Sequence, residues 1–268
     1  MPKSRISTFE IHYDAVGEGE PLILIPGFAS GAWSWSWQTR DLAREFKVVT
    51  FDPRGIGQSR VDHGTGVSIP LIADDVIALL DELTIDSAHV LGISFGGFVA
   101  QDLALRYPGR LDRLVLASTS FGGPNHVAPS MQVLAAFAST EDLNTPDRIR
   151  KYLTVAFSPE FVEHSPETVE EFCNLREMSF VPRDVYVQQL QSALTFNAEM
   201  ELHRITNETL VITGDDDVVV PAQNSTNLVA AVPNSRLEVI RGSGHMAFIE
   251  RAPEFNRSVT DFLQSGIR

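Results

Sequence analysis

The sequence predicts an α/β fold: a doubly wound, mostly parallel sheet with a helical cap inserted late in the strand order. Two observations carry this. Short apolar runs, PLILIP (21–26), KVVTFD (47–52), SAHVLGI (87–93) and RLDRLVLAS (110–118), alternate with longer stretches of helical spacing. Runs rich in branched residues and apolar at nearly every position suit strands buried on both faces, which parallel sheets require. The alternation then stops over 118–207 and resumes at ETLVITG (208–214), a gap far longer than an ordinary crossover and so best filled by helices.

Taken in order, FEIHYDAVGEGEPLILI reads as an N-terminal hairpin turning at Gly17-Glu18-Gly19. LIADDVIALLDEL (71–83) brings Ile72, Val76, Leu79, Leu80 and Leu83 near helical spacing. FGGFVAQDLALRYPG (95–109) is a second helix, stopped by Pro108 and Gly109. Inside the long gap, Thr145-Pro146 and Ser165-Pro166 each place a capping residue before a proline suited to a first helical turn. A helix about 222–231, a strand at 235–241 and a closing helix at 252–264 follow. The expected division is a core of residues 1–120 and 206–268 with a helical cap at 121–205. No repeat or flexible linker interrupts it.

Composition narrows the function classes. The chain has 268 residues, 43% of them hydrophobic, enough for one sizeable core. Its net charge of −14 repels phosphate backbones and anionic lipids, so neither nucleic acid nor membrane is an expected partner. No signal-peptide core follows the basic start, and a cytoplasmic location is expected. The single cysteine, Cys173, excludes an intrachain disulfide and reads as a buried, inert thiol. No His/Asp/Glu cluster has metal-ligand spacing.

One short stretch carries chemistry. In LGISFGG (91–97), Ser94 stands between Gly92 and Gly96 where an apolar strand meets a helix. So tight a turn strains its central residue, and flanking glycines relieve the crowding. The hydroxyl then stands at the carboxyl end of the strand, where open α/β sheets bind ligands, above a helix N-terminus that favours negative charge. A serine nucleophile needs a base and a group to orient that base. Of the seven histidines, only His245, in RGSGHMAF, lies beyond the strand at 208–214. His12 falls in the hairpin, His63 in a polar loop and His89 in a core strand, while His126, His164 and His203 belong to the insertion. The acid should follow the same late strand, in TGDDDVVVP, and the residues alone leave Asp215 and Asp217 both open.

Four segments together resemble the α/β-hydrolase superfamily, and within it the small serine esterases and lactonases that carry a helical cap. They are LILIPGF, VVTFDPRGIGQS, VLGISFGGFVAQDLALRYP, and ITGDDDVVVP with IRGSGHMAFIERAPEFNRSVTDFL. The resemblance implies Gly-x-x-Asp with a proline four residues on, which Gly214, Asp217 and Pro221 match. The implied triad is Ser94, Asp217 and His245. Oxyanion donors should be the backbone N–H groups of Phe28 and Phe95. The family's oxyanion loop usually begins His-Gly, whereas this one reads Pro26-Gly27-Phe28, so its bracing must differ.

The expected activity is therefore hydrolysis of a small-molecule carboxylic ester or lactone through an acyl-serine, with no cofactor. Trp33, Phe121, Met131, Phe137 and Met246 are the expected pocket residues. Trp33 and Trp37 should share a helical face, with Trp35 elsewhere. The alternatives are an enol-lactonase or carbon–carbon bond hydrolase of aromatic catabolism, or a cofactor-free perhydrolase. An anionic substrate would need a cation from Arg148, Arg176 or Arg183. The loop PGFASGAW lacks the longer glycine-rich oxyanion loop of the carbon–carbon hydrolases. A hydrolase-like ligand sensor is the rival of another class, though such proteins usually carry serine where Gly96 stands. Oligomeric state is not legible.

Overall fold

A computed structural model describes residues 3–6, 9–61 and 66–265. His63 lies outside the described residues. In chain order the elements are β1 (Lys3–Ile6), β2 (Phe9–Val16), β3 (Glu20–Ile25), α1 (Ser36–Leu42), β4 (Phe46–Phe51), β5 (Arg60–Val61), α2 (Ile69–Glu82), β6 (Ala88–Ile93), α3 (Phe95–Arg106) and β7 (Leu111–Ala117). Five helices follow: α4 (Met131–Ala138), α5 (Pro146–Ala156), α6 (Pro159–His164), α7 (Pro166–Glu177) and α8 (Arg183–Thr195). The chain then returns through β8 (Glu208–Gly214), α9 (Gln223–Ala231), β9 (Ser235–Ile240), α10 (Ala247–Glu250) and α11 (Ala252–Gln264).

One sheet runs in the order β1-β2-β4-β3-β6-β7-β8-β9, with β5 paired to β2. From β4 through β9 all pairings are parallel, while β1, β2 and β5 add antiparallel partners at one end. This corrects the N-terminal hairpin read from the sequence. β2 and β3 do not pair; β4 lies between them, antiparallel to β2 and parallel to β3. Gly17 and Gly19, at φ 86° and 108°, carry the chain past β4 instead of folding it into a tight turn. An antiparallel pair at this end exists, but it is β1 with β2.

Alternation along each strand sorts the core into two layers. Ile23, Ile25, Val49, Phe51 and Val90 face α2 and α3, whereas Leu22, Leu24, Val48, Leu91 and Ile93 face α1 and α11. Both sets are buried, the physical reason these strands read as unbroken apolar runs. α2 begins at Ser68, whose hydroxyl accepts from the Leu71 N–H, with Pro70 in the first turn.

Strand order positions the site. The chain steps from β3 outward to β4, then crosses back so that β6 pairs with the other side of β3. Order therefore reverses between β3 and β6, and a crevice opens beyond their carboxyl ends at such a point. Phe28 follows β3 and Ser94 follows β6, one on each side of it.

Candidate active site

Ser94 joins β6 to α3 at φ 54°, ψ −117°, a conformation that costs a non-glycine residue roughly 1–3 kcal/mol. Three bonds hold it there: its N–H donates to Ala117 O at 2.9 Å, and its carbonyl accepts from the Gly97 N–H at 2.9 Å and from Thr119 Oγ1 at 2.8 Å. A Cβ on Gly92 would lie 2.3 Å from Gly96 O, and one on Gly96 2.2 Å from Ile25 O. Side chains at either position would force the turn open, so the glycines answer to close backbone approach.

β8 and β9 deliver the other two side chains. His245 Nδ1 lies 2.8 Å from Asp217 Oδ2. Asp217 Oδ1 accepts from the Val219 and Val220 N–H groups at 2.9 and 2.7 Å, and its side chain is wholly shielded from solvent. An acceptor on Nδ1 places the imidazole proton there and leaves Nε2 free to take another. Asp215 is used otherwise: its Oδ1 accepts from the Gly242 N–H at 2.6 Å, pinning the turn before the histidine loop.

That loop is tied down by a residue the sequence did not flag. Glu250 is buried, and its two oxygens accept from the Gly244 N–H at 2.9 Å and the Ser158 N–H at 3.2 Å. Burial pushes its carboxyl pKa above the ordinary value, against the pull of those hydrogen bonds. Met246 N–H also donates to Ala156 O at 3.2 Å, so the loop holding His245 is fastened to the end of α5.

Ser94 and His245 line one pocket of about 90 Å³. Gly27, Phe28, Ser30 and Ser34 form the β3 side; Phe137, Tyr152, Leu153, Ala156 and Phe172 reach in from α4, α5 and α7; Ile93, Met246 and Phe248 complete it. Among the described residues the N–H of Phe28 and that of Phe95 donate to nothing, and α3 presents its N-terminus here. Of the residues named from the sequence for a substrate pocket, Phe137 and Met246 line this cavity.

Trp33, Phe121 and Met131 do not line it. Trp33 packs behind Phe172, ring centroids 5.1 Å apart, and faces a separate surface groove. Phe121 turns into the main core just past β7, 5% exposed. Met131 opens α4 and is 79% exposed. Residue type suggested all three, but the packing of the segment that carries each decides which way its side chain points. Trp37 also meets Phe172 while Trp35 packs on Phe248, the division that the spacing implied.

A second cavity of about 70 Å³ shares Phe28, Ser30, Phe137, Tyr152 and Leu153 with the first. Arg148 and Arg176 line it, along with Tyr186. Arg148 lies 4.1 Å over the Tyr152 ring and donates to Ser139 O. Arg176 Nη1 donates to Ser179 O at 2.6 Å. Neither pairs with a carboxylate among the described residues. Burial lowers the Arg176 pKa to about 10, so it stays charged at neutral pH. Arg183 instead bonds Thr140 Oγ1 on the exterior.

Among the described residues, no group of three or more His, Cys, Asp or Glu is placed to hold a metal, and no helix is long and apolar enough to cross a membrane. Cys173 is fully buried on α7, and burial pushes its thiol pKa up to about 11.

A family model for the alpha/beta hydrolase fold matches residues 20–252. The chain belongs to the α/β-hydrolase family. This hydrolase is 31% identical over 265 residues to a 2-hydroxy-6-oxononadienedioate/2-hydroxy-6-oxononatrienedioate hydrolase of Pseudomonas putida, covering 94% of the chain and 91% of that protein. It is 30% identical to the 2-hydroxy-6-oxo-6-phenylhexa-2,4-dienoate hydrolase of Comamonas testosteroni, over 97% and 93% of the two chains. Among solved structures, Est816, described as an N-acyl homoserine lactone degrading enzyme, superposes with a TM-score of 0.81 at 29% identity, over 97% of this chain and 100% of its own.

Proposed function

We propose that the protein hydrolyses the carbon–carbon bond beside the ketone of a conjugated oxo-dienoate, with Ser94 as nucleophile, His245 as base and Asp217 as its orienting acid. The observation that carries this over a simple ester is the pair Arg148 and Arg176. Two guanidinium groups that pair with no carboxylate among the described residues, in a cavity that shares a wall with the Ser94 pocket, suit a substrate with a carboxylate at one end and a ketone at the other. The relatives whose names specify such oxo-dienoates support the choice.

In this reading His245 takes the Ser94 proton as Oγ adds to the ketone carbon, and the oxyanion is held by the Phe28 and Phe95 N–H groups. Such a donor is worth about 2.7–4 kcal/mol in one measured case. Collapse breaks the carbon–carbon bond. The departing carbon keeps the electron pair, which the substrate's keto tautomer delocalises through its double bond onto the distal carbonyl, and a proton completes that product. Water, deprotonated by His245, then releases the acyl group as an acid. The loop PGFASGAW, short of glycine, favours a second reading in which the same residues cleave an ester or lactone.

The test is turnover of 2-hydroxy-6-oxo-6-phenylhexa-2,4-dienoate beside p-nitrophenyl butyrate. The dienoate should be consumed with the higher kcat/KM, and Arg176→Met should raise KM for the dienoate at least tenfold while leaving the neutral ester within about twofold. Rapid ester cleavage with no dienoate turnover would establish the second reading instead.

A further inference from the structure

Gln189 lies on α8, outside the Ser94 pocket, and is 1% exposed. Its Oε1 accepts from the Ala29 N–H at 2.9 Å. Ala29 directly follows Phe28 and sits at φ 52°, in the left-handed region where a residue other than glycine needs outside support. Beside this bond, the Phe28 ring is packed by Tyr186 of the same helix and Phe137 of α4, with centroids 4.6 and 5.9 Å away. From behind, Asp52 Oδ1 accepts from the Ala32 N–H at 2.9 Å. The turn after β3 is thus clamped between Asp52 below and the helical insertion above. This supplies the bracing for a loop that begins with Pro26 in place of histidine.

A second observation separates positioning from packing. Gln189 Nε2 is buried and has no hydrogen-bond partner among the described residues. An orphaned buried amide nitrogen destabilises a fold, and leucine or methionine would fill the same space without it. Stability alone therefore does not account for glutamine here, whereas its carbonyl has a task that no apolar side chain performs.

We infer that Gln189 is a positioning residue for the oxyanion hole: its carbonyl holds Ala29 in the left-handed conformation and so keeps the Phe28 N–H aimed at the developing oxyanion. The insertion is then part of the apparatus that stabilises the transition state, as well as a roof over the pocket. Lifting α8 away removes the Ala29 bond and the Tyr186 contact together. This rests on the reading of Ser94 as nucleophile.

The experiment compares wild type, Ser94→Ala, Gln189→Leu and Gln189→Glu in p-nitrophenyl butyrate hydrolysis, inhibition by butyl trifluoromethyl ketone, and thermal melting. The ketone forms a tetrahedral adduct with serine and so reads the oxyanion hole directly. Gln189→Leu should lose about tenfold or more in kcat with KM nearly unchanged, and lose ketone affinity in parallel, while melting near the wild-type temperature, since removing the orphaned Nε2 offsets the Ala29 N–H left unpaired. Gln189→Glu, which retains an acceptor, should recover most of kcat. Ser94-dependent turnover that Gln189→Leu leaves intact overturns the inference alone, as does a loss of activity that merely follows a lowered melting temperature. Equal rates for wild type and Ser94→Ala overturn the nucleophile reading and this inference with it.

Discussion

His245 and Asp217, 28 residues apart in sequence, are joined by a 2.8 Å bond from Nδ1 to Oδ2, and the carboxylate is already saturated on its other oxygen. Asp217 can therefore neither rotate nor reach solvent. Asparagine in its place would present an amide nitrogen either to His245 or to two backbone N–H groups. Asp217→Asn should lower kcat by about 10⁴, the size measured for the equivalent change in a serine protease. Asp215→Asn, altering only the Gly242 contact, should stay within a few-fold of wild type. Steady-state kinetics of the two variants decide which aspartate serves the histidine.

Ser94 bears strain that glycine would not. Ser94→Gly should abolish hydrolysis yet stabilise the protein by about 1 kcal/mol or more, because φ 54°, ψ −117° is open to glycine at little cost. Ser94→Ala should be inactive without that gain. Urea denaturation of the three proteins checks it, and equal midpoints for Ser94→Gly and Ser94→Ala would remove the strain argument.

Glu250 makes stability depend on pH. Its folded carboxyl binds a proton more tightly than the unfolded one, whose ordinary value is 4.5. The native state therefore holds more protons between the two values. The stabilisation due to this group is full below 4.5 and is lost as pH rises through the folded value. Glu250→Gln removes the titration, and it leaves one of the two backbone N–H groups facing an amide nitrogen. The variant should be the less stable protein at pH 4.5, with a gap to wild type that narrows toward pH 7. A gap that widens over that range would reverse the sign.

Tyr152 borders three spaces: the Ser94 pocket, the arginine cavity, and an outer groove of about 480 Å³ beside α4 and Val218. Tyr152→Ala should join them. Relative to wild type, the kcat/KM ratio of p-nitrophenyl octanoate to butyrate should rise by about tenfold, since a few buried methylenes carry that much discrimination. An unchanged ratio would place the limit on substrate length elsewhere in the insertion.

The parallel sheet was legible because its strands are buried on both faces and so had to be apolar throughout. The β2–β3 hairpin misled for a related reason: local turn residues say that the chain reverses, not which strand takes the place alongside. Ser94 and His245 could be singled out in the sequence because their positions in chain order follow from the strands that precede them, and the structure places both on one pocket. Asp217 needed a family resemblance, since three adjacent aspartates differ only in the direction the loop gives each. Phe121 and Met131 failed as pocket residues for the same reason, their direction being set by packing that no local pattern encodes.

Sequence alone thus determined the fold class, the strand ends and the residue types that could react, because these depend on hydrophobic period and backbone sterics over a few neighbouring positions. Tertiary structure decided which aspartate meets His245, that Glu250 fastens the histidine loop to α6, that Gln189 props the turn after β3, and that Arg148 and Arg176 share a cavity. Each is a contact between segments distant in sequence. Such contacts depend on how whole helices are seated, and side chains align across them only after the core has packed.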